Sequence, residues 1–375
     1  MFSRRKFLQS SILLSSGLYL KNLYANDHNI PAALEWFMPD EATPHERTWM
    51  AFGADKTIWG KRLFKQVQRD LITIAETIAD YEPVTLLVRE QEYDFARKLI
   101  THNNIELMMS PLDDLWVRDT GCTFVVTESG DKAGIDFNFN AWGEKQPFSQ
   151  DAKIAKFMAQ QAGVKSLPSD LILEGGAIEV DGQGTAIISE SCVLNNNRNP
   201  KISKSQCEDE LMPLLGLDKI IWLKGIKGRD ITDGHTDFYA RFARSGVVLA
   251  AYDPDTKSFD HEVTLENIDI LSTARDAQGN LLEVIQLEAP MSIRADYETY
   301  DFAAGYIGFY LCNNAVIMQQ FGDKKADTAA KKTLQQAFPD RKVIAINIDA
   351  IAAGGAVFIM QHSKNHGCSM LINIF

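Results

Sequence analysis

Carboxylates and one histidine recur in three short segments that lie about sixty residues apart. The segments are 118–121 (Arg-Asp-Thr-Gly), 174–176 (Glu-Gly-Gly) and 233–237 (Asp-Gly-His-Thr-Asp). In each segment acids stand beside glycine, so a ligand can approach the backbone closely. Two aspartates, Asp119 and Asp237, could grip a guanidinium cation through parallel charge-assisted hydrogen bonds. The pattern predicts a pocket for a cationic guanidino compound.

Hydrolysis of such a cation would also need an acid/base group and a nucleophile. His235 and Asp237 stand two residues apart, so on a strand they would share one face and could act as base and cation clamp. Asp233, just before them, is a further candidate for binding the cation. A thiolate is the most suitable nucleophile for the unreactive guanidinium carbon, with the histidine protonating the leaving ammonia. Residues 354–360, where we would look for the thiol, read Gly-Gly-Ala-Val-Phe-Ile-Met and contain none.

Each candidate also has a structural interpretation. An aspartate such as Asp119 that enters a strand is often a cap or turn residue, although the nearby Trp116 could hold a cation or alkyl chain. Glu174 could form a buried ion pair with Arg118 or Arg198, because unpaired buried charge is costly. A lone histidine at a strand start is usually structural, and the acids on both sides make this one more specific.

A recurring unit of hairpin, helix and strand is predicted to position these segments. Asx-Gly turns such as the one at 181–184 join apolar runs and indicate hairpins. Apolar residues at helical spacing predict helices over 61–79 and 326–337, and a shorter one over 151–163 that leads to a strand at 171–173. Recurrence every roughly 50–70 residues predicts a ring of ββαβ modules whose first strands open at one central mouth. The alternative is an unrelated α+β domain with several hairpins.

Composition narrows the class of protein. The 375 residues are 45% hydrophobic and 23% charged, which is typical of a soluble globular protein, and no linker-like stretch follows residue 30. A net charge of −12 argues against a nucleic-acid partner and favours a cationic small molecule. The seven histidines and five cysteines show no metal-binding spacing, so we expect no metal and no cofactor. The five cysteines are Cys122, Cys192, Cys207, Cys312 and Cys368.

Residues 1–25 are predicted to be a separate targeting unit. A twin-arginine pattern at 3–8 precedes the apolar run 11–20 and a cleavage motif at 23–25. The run is too short for a permanent membrane span. We therefore expect export of the folded protein to a bacterial periplasm, no membrane partner afterwards, and one domain over 26–375. A disordered basic start before a helix is the alternative.

Taken together, these motifs make the sequence resemble the agmatine deiminase family, the peptidylarginine deiminase-like branch of the guanidino-group-modifying pentein superfamily. The resemblance runs from about residue 31 to 355, nearly all of the chain after the targeting unit. The matching stretches are 38–50 (MPDEATPHERTWM), 114–121 (DLWVRDTG), 139–143 (FNAWG), 174–176 (EGG), 195–200 (NNNRNP) and 230–237 (DITDGHTD).

The resemblance implies a single-domain, five-module α/β propeller with pseudo-fivefold symmetry. It also implies conversion of agmatine and water to N-carbamoylputrescine and ammonia, without a metal or organic cofactor. Asp119 and Asp237 would clamp the guanidinium and His235 would be the acid/base. Glu174 would support the site, and Trp116 would line the substrate channel. A homo-oligomer is compatible with this assignment.

The chain departs from the family at its C-terminus. The family's nucleophilic cysteine lies in a motif close to Gly-Gly-Gly-Ile-His-Cys, followed by Ala or Ile and Thr-Gln-Gln. Residues 351–355 match the approach to this motif, and a gapless alignment then places Phe358 at the nucleophile. Cys368 follows His366-Gly367 and resembles the His-Cys pair, but it lies ten residues further on. The apolar runs around Cys122 and Cys192 predict that both are core residues.

The genetic code suggests an origin for this departure. Residues 355–366 can be back-translated into their permitted codons, and the reading frame can then be shifted by one base toward the start. In the shifted frame, permitted codons spell Gly-Gly-Ile-His, then Tyr, His or Asn, then Ala-Thr-Gln-Gln-Glu-Pro. The hypothesis is that the chain from about residue 356 is a frameshift product. Activity would then be impaired or lost, because the rest of the site only binds and orients.

Three functions follow from these observations. The first is an agmatine deiminase-type hydrolase that is impaired by the missing thiol. The second is a periplasmic guanidine- or polyamine-binding protein without catalysis. The third is a deiminase of another guanidino compound or of peptidyl arginine.

Overall fold

Five separate small sheets make up the β structure in the described part of the chain. The computed structural model describes residues 35–297 and 302–354, and the backbone of 363–366. One sheet has four strands and the other four have three. The strands are β1 His45–Phe52, β2 Val84–Val88, β3 Ile105–Met109, β4 Thr123–Val126, β5 Lys132–Asp136, β6 Lys165–Pro168, β7 Ile178–Val180, β8 Thr185–Ser189, β9 Lys219–Leu223, β10 Ala240–Arg244, β11 Val247–Tyr252, β12 Glu283–Glu288, β13 Tyr310–Cys312, β14 Ala315–Gln319, β15 Lys342–Ile346 and β16 Ser363–His366.

Helices connect the strands. Short 3-10 turns occur at Glu90–Glu92, Asp151–Lys153, Gly175–Ala177, Thr236–Phe238 and Ala295–Tyr297. The α-helices are α1 Lys56–Ala79, α2 Tyr93–Leu99, α3 Val117–Thr120, α4 Ala141–Glu144, α5 Ile154–Gln161, α6 Glu190–Val193, α7 Lys204–Leu215, α8 His261–Thr273, α9 Lys324–Ala337 and α10 Asp349–Ala352. No helix in these described ranges is long and apolar enough to cross a membrane.

Every sheet contains the same hairpin–helix–strand unit. In four sheets, an antiparallel hairpin is followed by a helix and then by a strand that pairs in parallel with the second hairpin strand. The fifth sheet is completed from both ends of the described chain, because β16 pairs antiparallel with β1 and β2 pairs parallel with it. The recurring ββαβ content predicted from the sequence is therefore present, within a mixed α/β fold.

Local sequence explains the elements that carry this unit. The Asp55 carboxylate caps α1 by accepting the N–H of Thr57 at 2.7 Å. Gly60 then interrupts the first turn with φ +63°, so the regular helix starts where the apolar spacing predicted it. In the hairpin between β7 and β8, Oδ1 of Asp181 accepts two backbone N–H groups and closes the turn. The second hairpin strands β8, β11 and β14 are mostly apolar and mostly buried, as is typical of strands that are covered on both faces.

The predicted site segments lie just before the first strands of three different sheets. They are not part of those strands. Asp119 lies in α3, Glu174 precedes the turn Gly175–Ala177, and Asp237 lies in the turn Thr236–Phe238. The expected strand at 171–173 is also wrong, since the third strand of that sheet is Lys165–Pro168. An apolar run next to glycines can be buried in an extended loop under the sheet as well as in a strand. The apolar pattern alone does not distinguish the two, which explains this error.

Candidate active site

Three tight turns bring Asp119, Gly176, His235 and Asp237 together. The backbone N–H of Gly176 donates to Oδ1 of Asp119 at 2.9 Å. A Cβ on Gly176 would lie 2.4 Å from Nδ1 of His235, 2.9 Å from Oδ1 of Asp119 and 2.9 Å from Oδ2 of Asp237. Only glycine fits at this point of closest approach. His235 and Asp237 thus face one point, although a 3-10 turn rather than the expected strand directs them there.

Several buried polar atoms of this cluster have no hydrogen-bond partner among the described residues. They are Nδ1 of His235 and both carboxylate oxygens of Asp237. Both side chains are completely buried, and Asp119 is almost so. Unpaired polar groups at such depth cost several kcal/mol or more when charged. A planar cation with several N–H donors would supply the partners that the Asp237 carboxylate lacks.

The electrostatics follow from this burial. Burial raises the pKa of Asp237 to about 7, although His235 and Arg118 oppose the shift. Burial likewise raises the pKa of Asp119, against the charge of His235. For His235, burial alone would lower the pKa, but Asp119, Cys192 and Glu174 raise it well above its ordinary value. The pKa values of all three groups are therefore shifted upward, as is common at sites of acid/base chemistry.

Glu174 joins a buried ion pair to the histidine. Its Oε1 accepts from Nε of Arg198 at 2.7 Å, and its Oε2 lies 3.4 Å from Nε2 of His235. Burial would raise the pKa of Glu174, but Arg198 and His235 together lower it. The ion pair with Arg198 that the sequence offered as an alternative is therefore present, and it fixes a carboxylate beside the candidate acid/base group.

Three tryptophans line a cavity of about 180 Å³ beside the cluster. Asp114 holds two of them, accepting from Nε1 of Trp59 at 2.8 Å and of Trp116 at 2.7 Å. The third, Trp142, donates from Nε1 to Oδ2 of Asp119 at 3.0 Å. Aromatic faces suit an alkyl chain or a cation, and the Trp142 hydrogen bond connects this cavity to the cluster. Trp116, the residue that the resemblance implies for the substrate channel, is one of the residues that line this cavity.

Asp233 does not face the cluster, contrary to the expectation that it binds substrate. Its Oδ2 accepts from Lys145 at 2.8 Å, Asn197 at 3.0 Å and Arg198 at 2.9 Å, and its Oδ1 accepts from the Gly228 N–H at 2.8 Å. Although burial opposes the shift, these donors lower the pKa of Asp233 to about 2. With its hydrogen bonds used inside the protein, Asp233 anchors Arg198 and the turn before His235.

Cys192 lies at the site, which the sequence did not reveal. It is buried as predicted, but it belongs to the short helix α6 and not to a strand. Its thiol donates to Oε2 of Glu174 at 3.5 Å. The donor atoms of Glu174, Cys192 and His235 lie within 4.8 Å of one another and could hold a metal ion. No sequence spacing reveals this, because the three residues come from three separate segments, one of them the helix α6.

The candidate positions at the C-terminal end fall outside the described residues. They are Phe358, which aligns with the family nucleophile, and Cys368. The remaining three cysteines in the described part, Cys122, Cys207 and Cys312, are buried in the core.

Comparison with known proteins decides the family. A family model for Porphyromonas-type peptidyl-arginine deiminase matches residues 37–359. The chain belongs to this family. Its relatives include agmatine deiminase of Pseudomonas aeruginosa, 34% identical over 353 residues that cover 88% of this chain and 95% of that one. Agmatine deiminase of Ectopseudomonas mendocina is 34% identical over 347 residues, covering 87% and 94%.

A solved structure confirms the relationship at the level of the fold. Agmatine deiminase of Enterococcus faecalis superposes with a TM-score of 0.84 at 29% identity, covering 91% of this chain and all of that one. The peptidylarginine deiminase-like family assignment made from the sequence motifs is confirmed. The family is one of hydrolases that act on guanidino groups.

Proposed function

We propose that this chain is an agmatine deiminase-type protein whose guanidinium-binding residues are all present and whose catalysis is impaired. In an intact enzyme of this type the reaction would be agmatine plus water to N-carbamoylputrescine plus ammonia. The observation that carries the proposal is the buried cluster of Asp119, His235 and Asp237, in which both Asp237 oxygens lack hydrogen-bond partners among the described residues. Agmatine deiminases among the relatives support the choice of substrate.

The residues of this cluster would bind and orient the guanidinium. Asp119 and Asp237 would accept its N–H groups and fix its plane, leaving the central carbon exposed on one face. His235, held by Glu174, would give a proton to the leaving ammonia and take one from the incoming water. The Trp-lined cavity would hold the alkyl chain of the substrate.

A second cavity offers a place for the amine end of agmatine. It has a volume of about 630 Å³ and shares Ile231 and Gly354 with the smaller cavity. Three carboxylates line it, from Asp230, Asp253 and Asp260. Burial and the two neighbouring acids raise the pKa of Asp260 to about 7, so a cation bound there would relieve their repulsion.

Impairment follows from the missing thiol. Family members use a cysteine nucleophile, as the resemblance implies, and Phe358 occupies the aligned position. A phenyl ring cannot form the covalent adduct, so binding without turnover is expected. The same observation favours a second function, a guanidine- or polyamine-binding protein that has given up catalysis. A deiminase of peptidyl arginine or another guanidino compound is the third candidate, and the name of the family model supports it.

We extend the proposal to architecture and location. The five ββαβ sheets would be the five modules of a pentein propeller spanning 26–375, with the site segments at their shared mouth. Residues 1–25 would direct twin-arginine export to the periplasm; they lie outside the described residues. Changing Arg4 and Arg5 to Lys in a reporter fusion should abolish export, and unchanged export would overturn this part.

Ammonia release tests the function. The chain is assayed with agmatine beside a version whose ending is restored to Gly-Ile-His-Cys-Ala-Thr-Gln-Gln, with a Ser-for-Cys restored ending as matched control. We expect ammonia and N-carbamoylputrescine from the Cys version only. Ammonia release by the unaltered chain at the same rate would refute the impairment. Turnover of peptidyl arginine but not agmatine by the Cys version would identify the third function.

A further inference from the structure

A thiol, an imidazole and a carboxylate converge behind the candidate guanidinium pocket. Oε2 of Glu174 lies 3.4 Å from Nε2 of His235 and 3.5 Å from Sγ of Cys192. All three donor atoms lie within 4.8 Å of one another, and all three side chains are completely buried.

Two of these separations match the edges of a small metal site. Zn²⁺ binds carboxylate oxygen and imidazole nitrogen at about 2.0–2.1 Å and thiolate sulfur at about 2.3 Å in a tetrahedron, which places neighbouring ligand atoms roughly 3.3–3.6 Å apart. The two distances from Glu174 fall inside that range, so no large movement of its carboxylate is needed.

The ligands can also supply negative charge to a divalent ion. The Glu174 carboxylate and the Cys192 thiolate would provide two negative charges. The ion would share Glu174 with Arg198, whose Nε donates to Oε1 of Glu174 at 2.7 Å and whose Nη1 donates to Asp233 at 2.9 Å. On the far side of the imidazole, Oδ2 of Asp119 lies 3.9 Å from Nδ1 of His235. A carboxylate there favours a proton on Nδ1 and leaves Nε2 to bind the metal.

We propose that Glu174, Cys192 and His235 form an inhibitory site for a thiolate-binding divalent cation such as Zn²⁺ or Cd²⁺. The ion would displace the proton from Nε2 of His235 and bind there, and two cations would then compete for one group of carboxylates. Metal and guanidinium ligands would therefore weaken each other's binding by the same factor.

The choice of metal follows from the thiol. The Cys192 thiol donates a hydrogen bond to Oε2 of Glu174 at 3.5 Å, so a bound ion must displace its proton. Ions with high thiolate affinity can do so, whereas Mg²⁺ and Ca²⁺ prefer oxygen ligands and are expected not to bind. The three proposed metal ligands already lie close together, and metal binding to them does not depend on turnover of agmatine.

The test is titration of the full chain with Cd²⁺, followed by the near-ultraviolet thiolate-to-cadmium absorption. A Cys368→Ser background removes the thiol outside the described residues. We expect one equivalent bound and an affinity loss of at least about 100-fold in Cys192→Ser, more than the 10–100-fold typical of outer-shell changes. Cys207→Ser is the matched control and should bind normally, because it changes another buried thiol, in α7, that is not among the three ligands.

Each outcome decides the proposal. Absorption that persists in Cys192→Ser, or that is absent from the Cys368→Ser chain, would overturn it. If Cys192→Ser does not fold, the ¹¹³Cd NMR chemical shift of the Cys368→Ser chain decides. A chemical shift typical of one sulfur ligand together with nitrogen and oxygen ligands supports the site. A chemical shift typical of a site without sulfur refutes it. Agmatine should weaken Cd²⁺ binding. If the Cd²⁺ affinity is the same with and without agmatine, the site is not inhibitory.

Discussion

Nε2 of His235 lies 3.4 Å from Oε2 of Glu174, and both side chains are completely buried. The other oxygen of Glu174 is held at 2.7 Å by Arg198, which is in turn held by Asp233. This relay of charges fixes the histidine in place. Asp119 contributes most to keeping the pKa of His235 high against its burial, and Cys192 and Glu174 add to this effect.

Asp119→Asn should weaken agmatine binding by about 10–100-fold. A hydrogen bond to a charged partner contributes about 1.5–3 kcal/mol, and the amide lacks the charge. Isothermal titration calorimetry measures the loss. Asp181→Asn is the control, since Asp181 is also buried and accepts backbone N–H groups but lies in a hairpin turn. Equal losses in both variants would show that general destabilisation is responsible.

Agmatine binding should strengthen as the pH rises through about 7. Burial raises the pKa of Asp237 from 3.8 to about 7, so its carboxylate becomes charged and able to hold a cation only above that range. Asp237→Asn should bind more weakly and show a flatter pH profile between pH 6 and 8, as measured by calorimetry at constant ionic strength. A profile that Asp237→Asn leaves unchanged would exclude Asp237 as the titrating group.

The same shift has an opposite effect on the stability of the ligand-free chain. Between the pKa values 3.8 and about 7 the folded chain keeps a proton on Asp237 that the unfolded chain has lost. The free energy of unfolding therefore falls as the pH rises, by up to about 1.4 kcal/mol per pH unit from this group. Urea unfolding of the wild type and Asp237→Asn should reveal a difference that grows across this window. A constant difference would contradict the assignment.

Gly176→Ala should abolish guanidinium binding. Its Cβ would lie 2.4 Å from Nδ1 of His235, in the space between the clamp residues. Gly279→Ala is the control for general destabilisation, because its φ of +85° strains alanine while its Cβ would meet nothing within 4 Å. Both variants are compared by calorimetry and thermal unfolding. Retained binding in Gly176→Ala would mean that the pocket lies elsewhere.

Trp116→Phe should weaken agmatine binding by about 3–10-fold, because a smaller ring enlarges the cavity and leaves Oδ2 of Asp114 without its donor. Trp222→Phe removes an indole that likewise donates to an acid, Glu208, away from the cavity. Fluorescence titration with agmatine compares the affinities of the two variants, one changed at the cavity and one away from it. An equal effect at Trp222 would refute the assignment of the cavity.

Much of this site could be predicted from sequence because its chemistry lies in compact motifs. Glu174 and His235 stand next to glycine, Asp119 and Asp237 lie within three residues of one, and the recurring hairpins indicated that such segments lead into separate strands. The structure places all four residues at one cluster. The family assignment also followed from these motifs, since their order and spacing are specific.

Local conformation and loop contacts were harder to predict. His235 and Asp237 alternate as strand residues do, yet a 3-10 turn directs them to one point. Asp233 looked equivalent to Asp237, and only the tertiary contacts with Lys145 and Arg198 show that its hydrogen bonds are satisfied internally. Cys192 carried no signal, because its contact with Glu174 joins segments eighteen residues apart.

Direct binding of agmatine to the unaltered chain tests the central claim most closely. Calorimetry is run on the native sequence, on Asp119→Asn and on Asp237→Asn, with ammonia measured in the same samples. We predict one bound agmatine per native chain, binding that is weakened in both variants, and no ammonia above the buffer rate. Failure of the native chain to bind agmatine, with its fold intact, would contradict the account.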